Sequence, residues 1–235
     1  MRRRTIAIVA GLAVLVPAGA GPPAGAGELR RAATSLTLRA SEARITFGHS
    51  VRLVATLNGP PGGQAILVER IVGGGEPTVI GGCVTGNAGR CTVALKPRLS
   101  STYRAVFAGA GSWDPSTSGL ATVKVRAAVE GTLKGFYDRA GKYRLYRTRD
   151  RVTFVARIAP ARRGTRVWFP LEFNYGRGWR DGGTSSFRAG TDGKVVIYFA
   201  PRSLPTGAYR IKAETRASAR LLAGSSRLAF FRVKA

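Results

Sequence analysis

Arginine is the side chain with the widest chemical reach in this sequence. Arg144, Arg147, Arg149 and Arg151 stand two or three positions apart, and Arg162, Arg163 and Arg166 follow in and after a turn-rich stretch. A guanidinium presents a planar fork of N–H donors that matches phosphate and carboxylate oxygens in pairs. Gathered on one face, these seven would bind anionic groups; otherwise they are an ordinary solvated strand face. A second set is aromatic. Trp168, Tyr175 and Trp179 offer a platform for sugar rings, set against core or hairpin packing, the commoner use of large rings. The third set is the cysteine pair, Cys83 and Cys91, with the turn residues Gly86, Asn87 and Gly89 between them. Cross-strand positions beside a hairpin turn bring Cα atoms to the roughly 4.4–6.8 Å that a disulfide spans. The spacing therefore predicts a hairpin clip, its contribution at the lower end of the usual ~2–4 kcal/mol because the loop is short.

The parts of a hydrolase are missing. Such an enzyme needs a nucleophile with a base, two matched carboxylates, or a metal. His49 is the only histidine, and a catalytic histidine needs partners that orient it; a plain surface residue is expected. The 12 acidic residues are scattered. Asp181 and Asp192 sit beside turns, where aspartate bonds its own backbone. Glu172 alternates within an apolar strand and faces Arg210 or Lys212 as a cross-strand ion pair. The glycines follow turns rather than any phosphate-loop or dinucleotide pattern. One histidine and two cysteines are too few for a zinc site. No enzyme activity, metal or cofactor is expected.

The net charge is +26 over 235 residues. It is uneven: residues 33–127 hold 10 Lys/Arg and 4 Asp/Glu, whereas residues 128–235 hold 23 and 7. A positive field of that kind attracts polyanions and speeds their encounter. Arginine outnumbers lysine 31 to 7, so a codon bias with charge kept for solubility is the competing reading. The partners expected are anionic cell-envelope polymers or another extracellular protein, with no specific nucleic acid.

The first 26 residues read as a targeting segment. Arg2, Arg3 and Arg4 precede an apolar run from Thr5 to Val16, Pro17 breaks it, and small-x-small cleavage sites end at Ala20 and at Ala26. The run is shorter than the roughly 20 residues of a membrane span. A cleaved signal peptide (1–26) and export are expected, with no transmembrane span after cleavage. A Gly/Pro/Ala-rich lead (27–33) follows.

The elements that must position these residues are strands. In Val51–Leu57 the residues Val51, Leu53, Ala55 and Leu57 alternate with Arg52, Val54 and Thr56, the period of two that places one set on each face. The pattern recurs 101 positions on as Val152, Phe154, Ala156 and Ile158, and Gly164 falls on Gly63 at the same offset. The stretch Gly86–Gly109, a turn, a strand, a corner and a strand, is echoed at Gly190–Glu214. Setting Tyr209 against Tyr103 gives an offset of 106; most of the five extra residues are assigned to the hairpin around Tyr175–Trp179. Both tyrosines are expected to act as tyrosine corners, ring inside and hydroxyl on backbone. Trp113, in its loop, is expected to plug the open end of the first sandwich. Strands recur every ~8–12 residues with turn signals between them, the spacing of a β-sandwich. The expected fold is all-β: two tandem immunoglobulin-like antiparallel sandwiches, 34–127 and 128–235.

The segments Gly48–Leu53, Gly86–Leu95, Ser101–Gly109 and Pro115–Ser118 make residues 34–126 resemble bacterial Ig-like (Big) repeat domains of secreted actinobacterial proteins. Residues 130–235 resemble a diverged copy through Leu204–Tyr209. The resemblance implies a spacer, stalk or adhesion module in or near the cell envelope, with no catalytic residues. The alternative is a polyanion binder that contacts envelope polymer or anionic lipid through its basic C-terminal sandwich.

Overall fold

The computed structural model describes residues 31–235. The targeting segment and residues 27–30 of the lead lie outside the described residues. Nine strands come first: β1 (Ser35–Ala40), β2 (Arg44–Thr46), β3 (Val51–Asn58), β4 (Ala65–Ile71), β5 (Thr78–Val84), β6 (Arg90–Leu95), β7 (Ser101–Phe107), β8 (Ser116–Thr117) and β9 (Ala121–Arg126). Eleven follow: β10 (Ala128–Lys134), β11 (Asp138–Ala140), β12 (Tyr143–Arg147), β13 (Val152–Ala159), β14 (Arg166–Asn174), β15 (Arg180–Arg188), β16 (Lys194–Phe199), β17 (Gly207–Ile211), β18 (Glu214–Thr215), β19 (Gly224–Ser225) and β20 (Ala229–Lys234).

Alternation along each strand builds the cores. In β3, Val51, Leu53, Ala55 and Leu57 are buried; in β13, Val152, Phe154, Ala156 and Ile158 are. Each set belongs to its own apolar cluster, one drawn from the first nine strands and one from the last eleven. Around the first cluster lie the sheets β1-β3-β6 and β2-β9-β7-β4-β5. Around the second lie β10-β13-β16 and a sheet that runs β11-β12-β20-β17-β14, with β15 also on β14. In each half the chain begins in the three-stranded sheet and then crosses over. There β2 runs parallel to β9, and β12 parallel to β20. This is the immunoglobulin-like arrangement, first, second and fifth strands against third, sixth and seventh. Ile45 pairs with Val125 of β9, so the chain has left the sheet of β1 by that point.

Pairing registers fix how the copies correspond. The second, third and crossover strands match at an offset of 101: Val51 with Val152, Leu67 with Trp168, Ile45 with Tyr146. The fifth strand matches at 104. Gly89 and Gly193 hold φ of 67° and 72°, and a Cβ there would lie 2.2 Å from the Leu57 carbonyl oxygen or 2.4 Å from that of Ile158. Only glycine fits this turn. The last two strands match at 108. Val123 pairs Ser101 and Phe231 pairs Tyr209, while the Ala105 and Ala213 N–H groups donate to Ser118 Oγ and Ser226 Oγ respectively, each at 2.9 Å. Tyr209 therefore occupies the place of Ser101, and Ile211 that of Tyr103. Aligning the two tyrosines at 106 was wrong: seven residues, not five, are inserted after the third strand begins. Three lengthen the β14–β15 hairpin, and four fall between Phe199 and Tyr209, the counterparts of Leu95 and Ser101. Tyrosine identity misled because the register, not the residue type, carries the repeat.

The halves meet over a short connection, from Arg126 to Ala128. The segment between β18 and β19 folds back on the first half. Ser100 N–H donates to the Arg220 carbonyl at 2.9 Å, Leu222 N–H to Val125 at 2.8 Å, and Leu221 packs on the first core. Trp113 packs on that core too, its ring 3.3 Å from where a Cβ on Gly59 would sit, in keeping with a plug.

Candidate anion-binding pocket

Between its first strand and its crossover strand the second sandwich carries eight residues that the first does not. Leu36 corresponds to Val129, 93 positions on, but Ile45 corresponds to Tyr146, 101 on. The extra residues lie between the first strand and the crossover strand. They form β11 and its turn into β12, with Arg139 opposite Arg144 and Ala140 opposite Tyr143. Against β10 and β20 they enclose a pocket of about 400 Å³. Its charged lining is Lys134, Arg139, Lys142 and Arg144, with no carboxylate; Leu133 and Phe230 are part of its apolar wall.

Aromatic rings hold three of these cations, Arg139, Lys142 and Arg144. The Arg139 and Arg144 guanidinium carbons lie 5.1 and 5.3 Å from the centre of the Phe136 ring. Lys142 Nζ lies 4.3 Å from the centre of Phe230 and 5.6 Å from that of Tyr143. Phe136 is half-buried, packs on the second core and meets Tyr146 edge-on at 6.4 Å. Tyr146, wholly buried, donates its hydroxyl to the Lys134 carbonyl at 2.7 Å. Burial pushes the Tyr146 hydroxyl well above the ordinary tyrosine value, against the lowering effect of Arg144. Core packing thus fixes the backbone beneath the pocket.

Six of the seven carboxylates in residues 128–235 are already engaged. Asp138, Asp150, Asp181 and Asp192 accept backbone N–H bonds at 2.7 to 2.9 Å, the turn role expected for Asp181 and Asp192. Glu172 faces Arg210, whose Nε donates to Oε2 at 2.9 Å, and Lys212 pairs with Glu214 at 2.6 Å. Among the described residues the other ion pair is Arg104 with Glu69 at 2.6 Å in the first sandwich. So two of the 23 basic side chains in residues 128–235 stand in ion pairs.

The structure does not gather the seven arginines singled out by sequence. Arg144 is in the pocket. Arg147 lies over Tyr137 at 4.3 Å and Arg151 over Tyr198 at 5.0 Å. Arg149 is exposed in the following turn, as are Arg163 in the β13–β14 loop and Arg166 at the start of β14. Arg162 joins Arg70 and Arg98 in a groove at the junction of the sandwiches. Arg151 and Arg162 flank the eight-residue β13, so roughly 26 Å of strand separates them. One binding site cannot hold both. Lys134, Arg139 and Lys142 escaped the sequence reading because nothing local marks them. The signal was a basic stretch bent back on itself at Gly135 and Gly141, both at positive φ.

Nor do the three aromatics make one platform. Trp168 is covered by Arg216 at 4.4 Å. Trp179 lies under Arg210 at 4.6 Å and against Phe230 at 6.0 Å. Tyr175 packs on Phe173 and hydrogen-bonds Tyr209, hydroxyl to hydroxyl, at 3.0 Å. The cysteines are bonded, with Cα atoms 5.8 Å apart, but the bond is not a hairpin clip. Cys83 is on β5 and Cys91 on β6, which lie in different sheets. It ties the sandwich across its open edge. His49 is exposed, and among the described residues no three His, Cys, Asp or Glu side chains are grouped to hold a metal.

Fold and pairing define the class: a tandem immunoglobulin-like β-sandwich protein with a cationic pocket in its second sandwich. No family model matches the chain, and no curated protein does. Among solved structures, the D0-D1 domain of Intimin is similar at 14% identity, with 83% of this chain and 97% of that one covered and a TM-score of 0.30. The assignment to the immunoglobulin-like class rests on the strand pairing.

Proposed function

We propose that this chain is an exported, non-catalytic protein of the cell envelope, with a structural or adhesive role. Export is supported by the leader pattern in residues 1–26 and by the Cys83–Cys91 bond, since disulfides persist in oxidising compartments. The motif resemblance to bacterial Ig-like repeats supports the spacer or adhesion role. A second reading, polyanion binding through the C-terminal sandwich, is favoured by one observation: of 23 basic side chains there, two are in ion pairs. A surface charged in that way recruits polyanions with strong dependence on salt. The test is retention of the full chain on purified envelope at rising salt. Steep loss between low and high salt is the expected result. Retention that ignores salt removes the polyanion reading, and no retention at any salt removes the envelope role.

A further inference from the structure

We infer that the pocket formed by Lys134, Arg139, Lys142 and Arg144 is a discrete binding site for a phosphate ester. The inference rests on the polyanion reading and gives it a ligand chemistry. Four positive side chains reach the pocket from three strands and the turn between β11 and β12. A carboxylate is planar and singly charged, so one guanidinium fork satisfies it. A phosphate monoester carries close to two charges and three acceptor oxygens arranged tetrahedrally, which suits donors that arrive from several directions. The two forks are also placed in advance. Both guanidinium groups rest on Phe136, which Tyr146 and the second core hold; pre-placed donors lose less freedom when they bind.

The pocket is larger than a bare phosphate needs. At about 400 Å³ it lies in the range of small-molecule sites. Leu133, Leu228, Ala229 and Phe230 line the remaining wall, apolar surface for an organic body of sugar or glycerol size. The eight-residue insertion bears on the same point. The first sandwich folds without β11, so the segment that supplies Arg139 and Lys142 is not required by the fold.

The experiment is isothermal titration of the full chain with glycerol 3-phosphate, inorganic phosphate, sulfate and succinate in turn. Saturable binding of glycerol 3-phosphate is expected, tighter than inorganic phosphate and tighter than sulfate or succinate. Arg139→Gln and Lys142→Gln, both at exposed positions, should each weaken it by roughly tenfold with melting temperature unchanged; Arg149→Gln and Arg163→Gln should leave it as it was. Vesicles of phosphatidylcholine with phosphatidic acid form a further arm. Binding that Arg139→Gln abolishes assigns the ester to a lipid headgroup, and no vesicle binding assigns it to a soluble or polymer-borne ester. No saturable binding of glycerol 3-phosphate, equal binding of succinate, or equal loss in all four variants overturns the site. Retention on envelope at low salt that survives in Arg139→Gln, with no ester binding in the parent chain, sinks the pocket and leaves the polyanion reading standing.

Discussion

The Tyr209 hydroxyl donates to the carbonyl oxygen of Pro205 across 2.7 Å, at the corner between β16 and β17. The ring lies stacked on Phe231, centroids 5.0 Å apart, and the hydroxyl also meets that of Tyr175. This is the tyrosine corner of an immunoglobulin-like sandwich, apolar body inside and polar tip on backbone. Tyr103, expected to do the same, does not. Its hydroxyl is buried without a hydrogen-bond partner. The two phenylalanine variants should then diverge. Tyr209→Phe should lose about 1 kcal/mol, one net hydrogen bond, and leave the Pro205 carbonyl short of a donor. Tyr103→Phe should cost nothing or stabilise, because it removes an unsatisfied buried hydroxyl. Urea unfolding of both variants measures the difference; equal losses would contradict the assignment.

Alkaline pH should unfold the protein through these tyrosines. Burial raises the hydroxyls of Tyr103, Tyr146 and Tyr209 above their ordinary value of 10.0. The folded chain thus keeps protons that the unfolded chain has already released. Stability is complete below pH 10 and falls as pH rises past it, because the unfolded state then binds fewer protons. The three should titrate only as the fold is lost. Absorbance at alkaline pH, followed together with circular dichroism, reads both events. Tyr146→Phe should make the decline shallower.

How much of this was legible in the sequence follows from which physical signal carries each feature. The period of two in Val51–Leu57 and Val152–Ile158 is local, so strands, faces and repeat were readable. The glycines before β6 and β16 were readable too, since a left-handed turn admits little else. The pocket was not. Lys134 and Arg144 are brought together by the bend at Gly135 and Gly141, and the ring that orders the guanidinium groups, Phe136, reads as one more strand residue. The arginine run at 144–151 was plain to see, but the spread of its partners, Phe136, Tyr137 and Tyr198, depends on pairing that no local pattern encodes.

Gly89→Ala and Gly193→Ala should be costly alike. Left-handed backbone costs a non-glycine residue roughly 1–2 kcal/mol, and here the new methyl also meets a carbonyl oxygen, of Leu57 or Ile158. Those carbonyls end the strands that β6 and β16 pair with, so the turn cannot shift without loosening the ladder. Gly141 also has positive φ, 57°, but nothing lies within 4 Å of its Cβ position. Gly141→Ala should therefore show the backbone term alone. Thermal melts of the three variants separate the two contributions.

The disulfide has an apolar counterpart. Ile66 pairs with Cys83 as Val167 pairs with Phe187, and Ala55 pairs with Cys91 as Ala156 pairs with Val195. Phe187 and Val195 therefore stand where Cys83 and Cys91 stand in the first sandwich. Phe187 closes that edge by packing edge-on against Phe169 at 6.1 Å, though it stays 48% exposed. An aromatic can do the work of the bond because the second core is richer in rings: Phe154, Phe169, Phe231, Tyr146 and Tyr209 are all buried there. Two outcomes are expected. Cys83→Ser with Cys91→Ser should lower the stability of the first sandwich by about 2 kcal/mol, the low end for a short loop, and leave the second unaffected. Phe187→Cys with Val195→Cys should form a new bond, because the strand positions repeat those of a bonded pair. Intact mass under non-reducing conditions, two hydrogens lighter per bond, counts the disulfides. Free thiols at 187 and 195 in a folded variant would show that the edges of the two sandwiches are not spaced alike.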